Sequence, residues 1–419
     1  MADISINKAP QGYVVIPFFI TAAFFFLAFS VLLLTTGSQI WGHYFQPKVL
    51  AIVHTLALGW GTMIIFGAAY QLVPVIFERS LSHPKLAFLS YLFLTSGTCL
   101  LIHCFWNFNI GWMMIMAGSF ITLSSYLYFY IVWMTTKDSV HSFELNLYFM
   151  LSAFWFCFTT TVGLLLAINL AYPYIEKNHL DILKLHAHIG IVGWFMQLIF
   201  GAGAKMIPMF LLGKSKKRKL LYSSIILINL GLLLFLADGY KNQVSMRSLV
   251  FGGMIFSGSV CWLIYIMDCF QSRARKHVDI AMRHVLISIV CLLLAFVNLP
   301  WVINQEAGNW VSLYVVWIFL GWITGIILGM TFKTLPFIIW NIRYKDLNGS
   351  PHFPMPKDLY SQRLLQMQYY TFILSILFTA IALAFKSHVL FEIVTWFWVV
   401  LSVVYMLNVG KIIKHMRRT

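Results

Sequence analysis

The chain has 419 residues, of which 60% are hydrophobic and only 10% are charged, and its formal net charge is +16. Soluble domains usually carry about 25% charged residues, so this composition excludes a soluble enzyme or binding module. The excess of basic residues does not call for nucleic acid, because basic loops beside anionic lipid headgroups account for it. The six cysteines form no C-x-x-C pair, which disfavours a zinc site or a disulfide framework.

Apolar stretches of about 20 residues recur from one end of the chain to the other, and each can cross a hydrocarbon core of about 30 Å. The sequence therefore predicts an all-α, polytopic membrane protein with about twelve transmembrane helices. We expect a single membrane domain, 1–419, and we interpret the first stretch as a retained helix rather than a signal peptide. The predicted spans are 12–36, 48–76, 86–106, 109–134, 145–172, 182–212, 220–239, 248–270, 281–303, 310–340, 365–386 and 388–410.

Lysine and arginine in the predicted loops indicate the orientation, since basic loops favour the cytoplasmic side. With the N-terminus inside, most of the basic residues fall on the inner side. We therefore expect a bacterial-type inner membrane protein with both termini in the cytoplasm and membrane lipid around it.

The second, sixth and tenth spans share one pattern. Each has a Gly-Trp pair, followed at fixed offsets by a second glycine, a polar or basic residue and a proline. Because these spans are four apart, the pattern predicts three pseudo-symmetric four-helix repeats. Lys205 and Lys333 occupy the polar position in two of them and are candidates for a proton or ion path, or for snorkelling to the headgroups. The predicted repeat units are roughly 12–134, 145–270 and 281–410.

Histidines near the predicted outer ends of the spans are the candidate functional residues. His54 lies about six residues, or about 9 Å, into the second span. His188 has the same repeat position in the sixth span, and His186 lies two residues before it. Polar residues at this depth are costly unless paired, and imidazole is a common ligand of iron, copper and zinc. Hydrogen bonding to neighbouring backbone is the structural alternative, and His103 is a further candidate metal ligand at a helix end. The histidines that fall on the predicted inner side sit mostly in basic loops, and we expect them to be solvated: His83, His141, His277, His284, His352 and His415.

The segments HTLALGWGTMIIFGAAYQLVPV and HAHIGIVGWFMQLIFGAGAKMIPMF resemble the second and sixth helices of the haem–copper oxidase subunit I superfamily, including its nitric oxide reductase-like and NnrS-like members. The resemblance implies haem b with His54 as a ligand. It also implies that His186 or His188 matches a copper or non-haem metal ligand. The chain departs from that family at two places. The family carries histidines on its tenth helix, whereas the tenth span here has none, and Val316 stands at the position equivalent to His54 and His188. The family also carries adjacent histidines on its seventh helix, and the seventh span here has none.

The resemblance leads us to expect a haem-binding, oxidase-like membrane protein that acts in electron transfer or in nitric oxide or oxygen handling. It would be an oxidoreductase if haem is present, with haem held by His54 together with His186 or His188. An electron-donor protein or quinol and further subunits are the expected partners. Two other functions stay open: a haem-free transporter or permease, whose polar residues would gather near the midplane, and a scaffold subunit without cofactors.

Overall fold

The computed structural model describes residues 10–41, 43–139, 142–304, 309–345 and 354–416. Over these ranges the chain forms helices and no strand, and twelve helices are long and apolar enough to cross a membrane. The predicted all-α, polytopic membrane fold is therefore confirmed. Each predicted span overlaps one of these helices. They are α1 (Gly12–Trp41), α2 (Pro47–Ile76), α3 (Pro84–Trp106), α4 (Trp112–Thr136), α5 (Phe143–Ala171), α6 (His179–Leu211), α7 (Lys219–Asn242), α8 (Ser248–Gln271), α9 (Ile280–Ile303), α10 (Asn309–Arg343), α11 (Gln362–Ala384) and α12 (His388–Lys414).

The chain divides into two compact units. Unit one comprises Met1–Asn109, Asp279–Asn298 and Glu306–Thr419, and unit two comprises Ile110–Val278 and Leu299–Gln305. Unit two therefore holds the second repeat together with α4, which belongs to the first repeat. The single membrane domain stays a prediction. Both units expose large apolar side chains along their spans, as expected of helices that contact lipid.

Three of the spans, α2, α6 and α10, each contain a π-helix of eight residues. A π-helix replaces the usual hydrogen bond to residue i−4 with one to residue i−5, and such segments are rare. In all three spans the π-helix surrounds the Gly-Trp pair of the repeat. The backbone therefore shares the periodicity that the sequence pattern predicts. The segments are Thr55–Thr62, Ile189–Met196 and Val316–Ile323.

The glycines of the pattern are required because a neighbouring helix packs directly on each of them. A methyl group at any of these positions would lie within 3 Å of a side chain on the first helix of the same repeat, closer than real contacts allow. For the first glycine the neighbours are Phe25 at Gly59 (2.5 Å), Trp155 at Gly193 (2.6 Å) and Cys291 at Gly321 (2.6 Å). For the second they are Phe18 at Gly67 (2.8 Å), Tyr148 at Gly201 (2.6 Å) and His284 at Gly329 (2.9 Å). In each repeat the two neighbours are seven residues apart, so the helices pack in the same register.

The tryptophans of the first two Gly-Trp pairs, Trp60 in unit one and Trp194 in unit two, have the same aromatic surroundings. In each case one ring stacks on the indole and a tyrosine meets it edge-on, an arrangement that aromatic quadrupoles favour. In unit one Phe26 stacks on Trp60 at 4.4 Å and Tyr405 meets it at 4.9 Å. In unit two Phe156 stacks on Trp194 at 4.4 Å and Tyr128 meets it at 5.5 Å.

A buried hydroxyl pair also recurs in the two units. Ser30 Oγ of α1 lies 2.7 Å from Ser402 Oγ of α12, and Thr160 Oγ1 of α5 lies 2.7 Å from Ser125 Oγ of α4. In unit one α12 thus packs on α1 as α4 packs on α5 in unit two. The four-helix repeat is therefore reproduced in side-chain hydrogen bonds as well as in the backbone.

Replacing Ser402 or Ser125 with alanine is expected to lower stability by about the same amount, about 1 kcal/mol, because each change removes one buried hydrogen bond between two helices. Thermal unfolding of the purified protein in detergent measures this. Ser96→Ala is the matched control, because its exposed hydroxyl bonds only within its own helix. A clear difference between the two buried serines would contradict the equivalence of the pairs.

Candidate cofactor site at two repeat-related histidines

His54 and His188 form the same hydrogen bond in the two units. The Nδ1 atom of His54 lies 2.7 Å from the carbonyl oxygen of Leu50, and that of His188 lies 2.8 Å from the carbonyl oxygen of Lys184. Both bonds reach back one helical turn, and each histidine directly precedes a π-helix. The two imidazoles therefore have matching orientations relative to their own helices.

This hydrogen bond determines which ring nitrogen carries the proton. A carbonyl oxygen can only accept, so Nδ1 of each ring carries the proton and Nε2 carries the lone pair. A bond from Nδ1–H to a backbone carbonyl is the usual way in which proteins orient a metal-binding histidine and raise its basicity. The donor chemistry at His54 and His188 therefore fits an axial ligand of haem iron.

Each imidazole lies against an aromatic ring on the third helix of its own repeat. His54 is 4.8 Å from Phe105 of α3, and His188 is 4.9 Å from Phe235 of α7, between ring centroids. Both histidines are half-buried. A half-buried imidazole with an aromatic neighbour suits a flat, largely apolar macrocycle. His54 belongs to unit one and His188 to unit two, and the binding of one haem by both stays a prediction.

His186 has different surroundings from His188. Its Nδ1 lies 3.1 Å from the carbonyl oxygen of Thr159, on the adjacent helix α5. A methyl group at Gly163 of α5 would lie 2.9 Å from His186 Cε1. The imidazole is therefore wedged between α6 and α5, as expected of a side chain that holds two membrane helices together. Of the two histidines of the H-x-H pair, His188 is the one that matches His54.

His103 lies at the C-terminal end of α3, where its ring is exposed and its Nδ1 is 3.3 Å from Asn107 Nδ2. Across the described residues, no group of three or more His, Cys, Asp or Glu side chains could hold a metal ion. A copper centre with several protein ligands therefore gains no support there. Haem iron needs only one or two axial side chains. His141 and His352, which the sequence placed on the inner side, lie outside the described residues.

The two candidate lysines have unlike surroundings. Lys205 of α6 is exposed, as a snorkelling side chain would be. Lys333 of α10 has a side chain only 13% exposed, and its Nζ donates to the carboxylate of Asp279 just before α9. Gln71 holds the third equivalent position and is buried. A proton or ion path that is repeated at all three positions gains no support from these surroundings.

Replacing Asp279 with asparagine is expected to cost about 2 kcal/mol of stability, because the largely buried charge of Lys333 loses its ion pair with a carboxylate. Asparagine can keep the cap that Asp279 Oδ1 forms with the backbone N–H of Met282 (3.1 Å). Chemical denaturation in detergent measures the change. The double variant Asp279→Asn, Lys333→Met should recover most of the loss, since no unpaired charge remains. A double variant no more stable than Asp279→Asn would contradict this account.

The sequence interpretation misplaced His284. Its position beside the basic loop suggested a solvated residue, and this was wrong: its side chain is 0% exposed. His284 lies in the first turns of α9, as the predicted span 281–303 also placed it, and Gly329 of α10 packs on it. The equally buried Gln368 has its Nε2 atom 3.2 Å from His284 Nε2, while His284 Nδ1 has no hydrogen-bond partner among the described residues. The seven-residue spacing to Cys291, equal to that from Phe18 to Phe25, is the signal that could have shown its burial.

Comparison with known proteins finds similarity to a chain of comparable length. No family model matches this sequence. An uncharacterized protein of Aquifex aeolicus (strain VF5) is 24% identical over 353 residues, a region that covers 81% of this chain and 85% of that protein. The similarity extends over most of both chains, and thus over far more than the two histidine-containing segments.

Proposed function

We propose that the protein is a haem-binding membrane protein, a divergent relative of the haem–copper oxidase superfamily, which acts in electron transfer or in nitric oxide or oxygen handling. The observation that carries this proposal is the identical hydrogen bond at His54 and His188, from Nδ1 to the carbonyl oxygen one turn back. One such imidazole in an apolar helix could be structural. Two at repeat-equivalent positions, both with Nε2 as the lone-pair atom, favour a shared chemical role.

In this proposal Nε2 of His54 and Nε2 of His188 would serve as ligands of haem b iron, and the carbonyl oxygens of Leu50 and Lys184 would hold the rings in place. Phe105 and Phe235 add apolar contact beside the imidazoles. Haem iron with two histidine ligands transfers electrons, whereas iron with an open position binds a small gas. Copper is not part of the proposal, because no group of candidate metal ligands occurs among the described residues.

The proposed location is a bacterial-type inner membrane with both termini in the cytoplasm, from the distribution of lysine and arginine in the loops. His54 and His188 would then lie toward the outer face, since each stands in the first half of a span that starts outside. An electron donor of the same compartment, either a protein or a membrane quinol, is the partner that this arrangement requires.

An absorption spectrum of the purified protein, oxidised and then reduced with dithionite, tests the proposal. Haem b would give a Soret band and sharp reduced α and β bands, and a pyridine haemochrome assay would count the haem. Added nitric oxide would shift the reduced spectrum if a coordination position is open. A colourless protein that also fails to bind added haemin would overturn the proposal.

One observation favours a haem-free transporter as the second candidate. Gln197 of α6 is completely buried near the middle of its span, and neither amide atom has a hydrogen-bond partner among the described residues. Buried polar groups without partners commonly mark water or a bound solute, and transporters place substrate sites near the midplane. A colourless protein in which Gln197→Leu abolishes solute flux into proteoliposomes would favour this candidate.

A further inference from the structure

Two loops at one end of unit two are joined into a single surface. One follows α6 and the other follows α8. The backbone N–H of Lys214 donates to Ser272 Oγ (3.0 Å), and Ser272 Oγ is 2.6 Å from the carbonyl oxygen of Lys214, to which it donates. Further along, Ala274 N–H donates to the carbonyl of Leu212 at 3.2 Å. We call residues 212–219 and 272–276 together the basic platform.

Gly213 allows the two halves of the basic platform to meet. A methyl group there would lie 2.0 Å from the carbonyl oxygen of Cys269, which is backbone and cannot move aside as a side chain would. The bond from Arg275 N–H to the carbonyl of Leu211 (3.3 Å) adds a further link between the loops. The platform is therefore a defined surface rather than two independent loops.

The charges on this surface are almost all of one sign. Two acidic groups adjoin it, and each pairs with one cation: Asp268 with Lys217 at 2.9 Å and Glu144 with Arg218 at 3.5 Å. The basic side chains outnumber these acids, so the surface keeps a strong positive charge. Its exposed basic residues are Lys214, Lys216, Lys217, Arg218, Lys219, Arg275 and Lys276.

The basic platform also presents an apolar side chain. Leu212 is 64% exposed and lies among the cations, directly after the end of α6. The flanking helices α7 and α8 expose further apolar residues toward their platform ends, such as Ile226 and Met267. A surface that combines cations with exposed apolar groups at the ends of membrane spans complements an anionic phospholipid, which offers a phosphate beside its acyl chains.

We propose that the basic platform binds the phosphate groups of anionic phospholipids while Leu212 contacts their acyl region. The lysines supply positive charge, and arginine supplies a planar fork that matches phosphate oxygens. The basic platform contains neither His54 nor His188, so lipid binding in this proposal does not depend on haem binding.

Native mass spectrometry of the full-length protein, released from detergent in the presence of phosphatidylglycerol or phosphatidylcholine, tests the proposal. The unaltered protein should retain phosphatidylglycerol in preference to phosphatidylcholine. The variant Lys214→Gln, Lys216→Gln, Lys219→Gln should bind phosphatidylglycerol about a hundredfold more weakly, at about fivefold per basic residue near an anionic lipid. Rising ionic strength should weaken binding to the unaltered protein.

The matched control is Lys85→Gln, Lys411→Gln, Lys414→Gln, which removes three exposed lysines from the ends of α3 and α12 in unit one. It should retain phosphatidylglycerol as the unaltered protein does. Equal losses in both triple variants, or no preference for the anionic lipid, would overturn the proposal, as would displacement of the lipid by inorganic phosphate at equal concentration. If the platform variant fails to fold, the single variant Lys216→Gln should still show a loss of about fivefold.

Discussion

Replacing His54 with alanine is expected to reduce the haem affinity of the purified protein by more than about 100-fold, because losing a hydrogen-bond partner of a metal ligand alone costs about 10–100-fold. The Nε2 atom that we propose as the iron ligand disappears with the ring. Titration of the haem-free protein with haemin, followed at the Soret band, measures the affinity. The pyridine haemochrome assay gives the haem content of the protein as isolated.

His103→Ala is the matched control, since this exposed histidine lies at a helix end and should leave the spectrum unchanged. His188→Ala should resemble His54→Ala, because the two imidazoles form the same hydrogen bond. A His54→Gly variant that regains its Soret band when imidazole is added would separate loss of a ligand from loss of fold. Unchanged haem content and spectrum in His54→Ala would exclude His54 as a ligand.

Replacing Gly329 with alanine is expected to cost about 3 kcal/mol of stability through overpacking between α9 and α10. The added methyl group would lie 2.4 Å from the carbonyl oxygen of Ala281 and 2.9 Å from His284 Cβ. The first of these atoms belongs to the backbone and the second is bonded to it, so neither can move away from the methyl group unless the two helices separate. Thermal unfolding in detergent, or the yield of monodisperse protein after mild heating, measures the loss.

Gly253→Ala is the matched control, since Gly253 also lies within a membrane helix and a methyl group there would meet nothing within 4 Å. Alanine favours helix over glycine by up to about 1 kcal/mol, so this variant should be as stable as the parent protein or more stable. Equal stability of Gly329→Ala and the parent would contradict the tight packing of α9 on α10.

The sequence was sufficient to predict the membrane spans, because the physical requirement is simple. A helix that crosses lipid needs a long apolar run, and loop residues interrupt that run. The repeat was equally accessible, since close helix packing demands glycine at fixed positions such as Gly59, Gly193 and Gly321. The predicted spans accordingly overlap all twelve helices.

Backbone detail and side-chain partners could not be predicted in the same way. A π-helix and an α-helix of eight apolar residues bury similar side chains, so hydropathy does not distinguish them. The ion pair between Lys333 and Asp279 joins residues 54 positions apart in the chain, and its identification requires the packing of α10 against the start of α9. His284 was misplaced for the same reason: its place near the inner end of the predicted span 281–303, beside basic residues, indicated solvent exposure, whereas tertiary packing encloses it.

For the candidate site, the sequence identified the equivalence of His54 and His188 but not what distinguishes His188 from His186. The distinction depends on which carbonyl oxygen each Nδ1 reaches. His188 bonds within its own helix, whereas His186 bonds to Thr159 of α5, and spacing within one helix does not reveal a contact with another.

The π-helix at one position in all three repeats has a consequence for the history of the chain. Such a segment differs from an α-helix by an inserted residue, so its presence in three copies is most simply explained by one insertion in an ancestral four-helix segment that was later duplicated. The histidine five residues before the first glycine is present in only two copies, and in the third its place is taken by Val316, the first residue of that π-helix. The π-helix is therefore common to all three copies, whereas the histidine is confined to two of them. Because α10 forms its π-helix without a histidine, this backbone feature does not depend on the histidine.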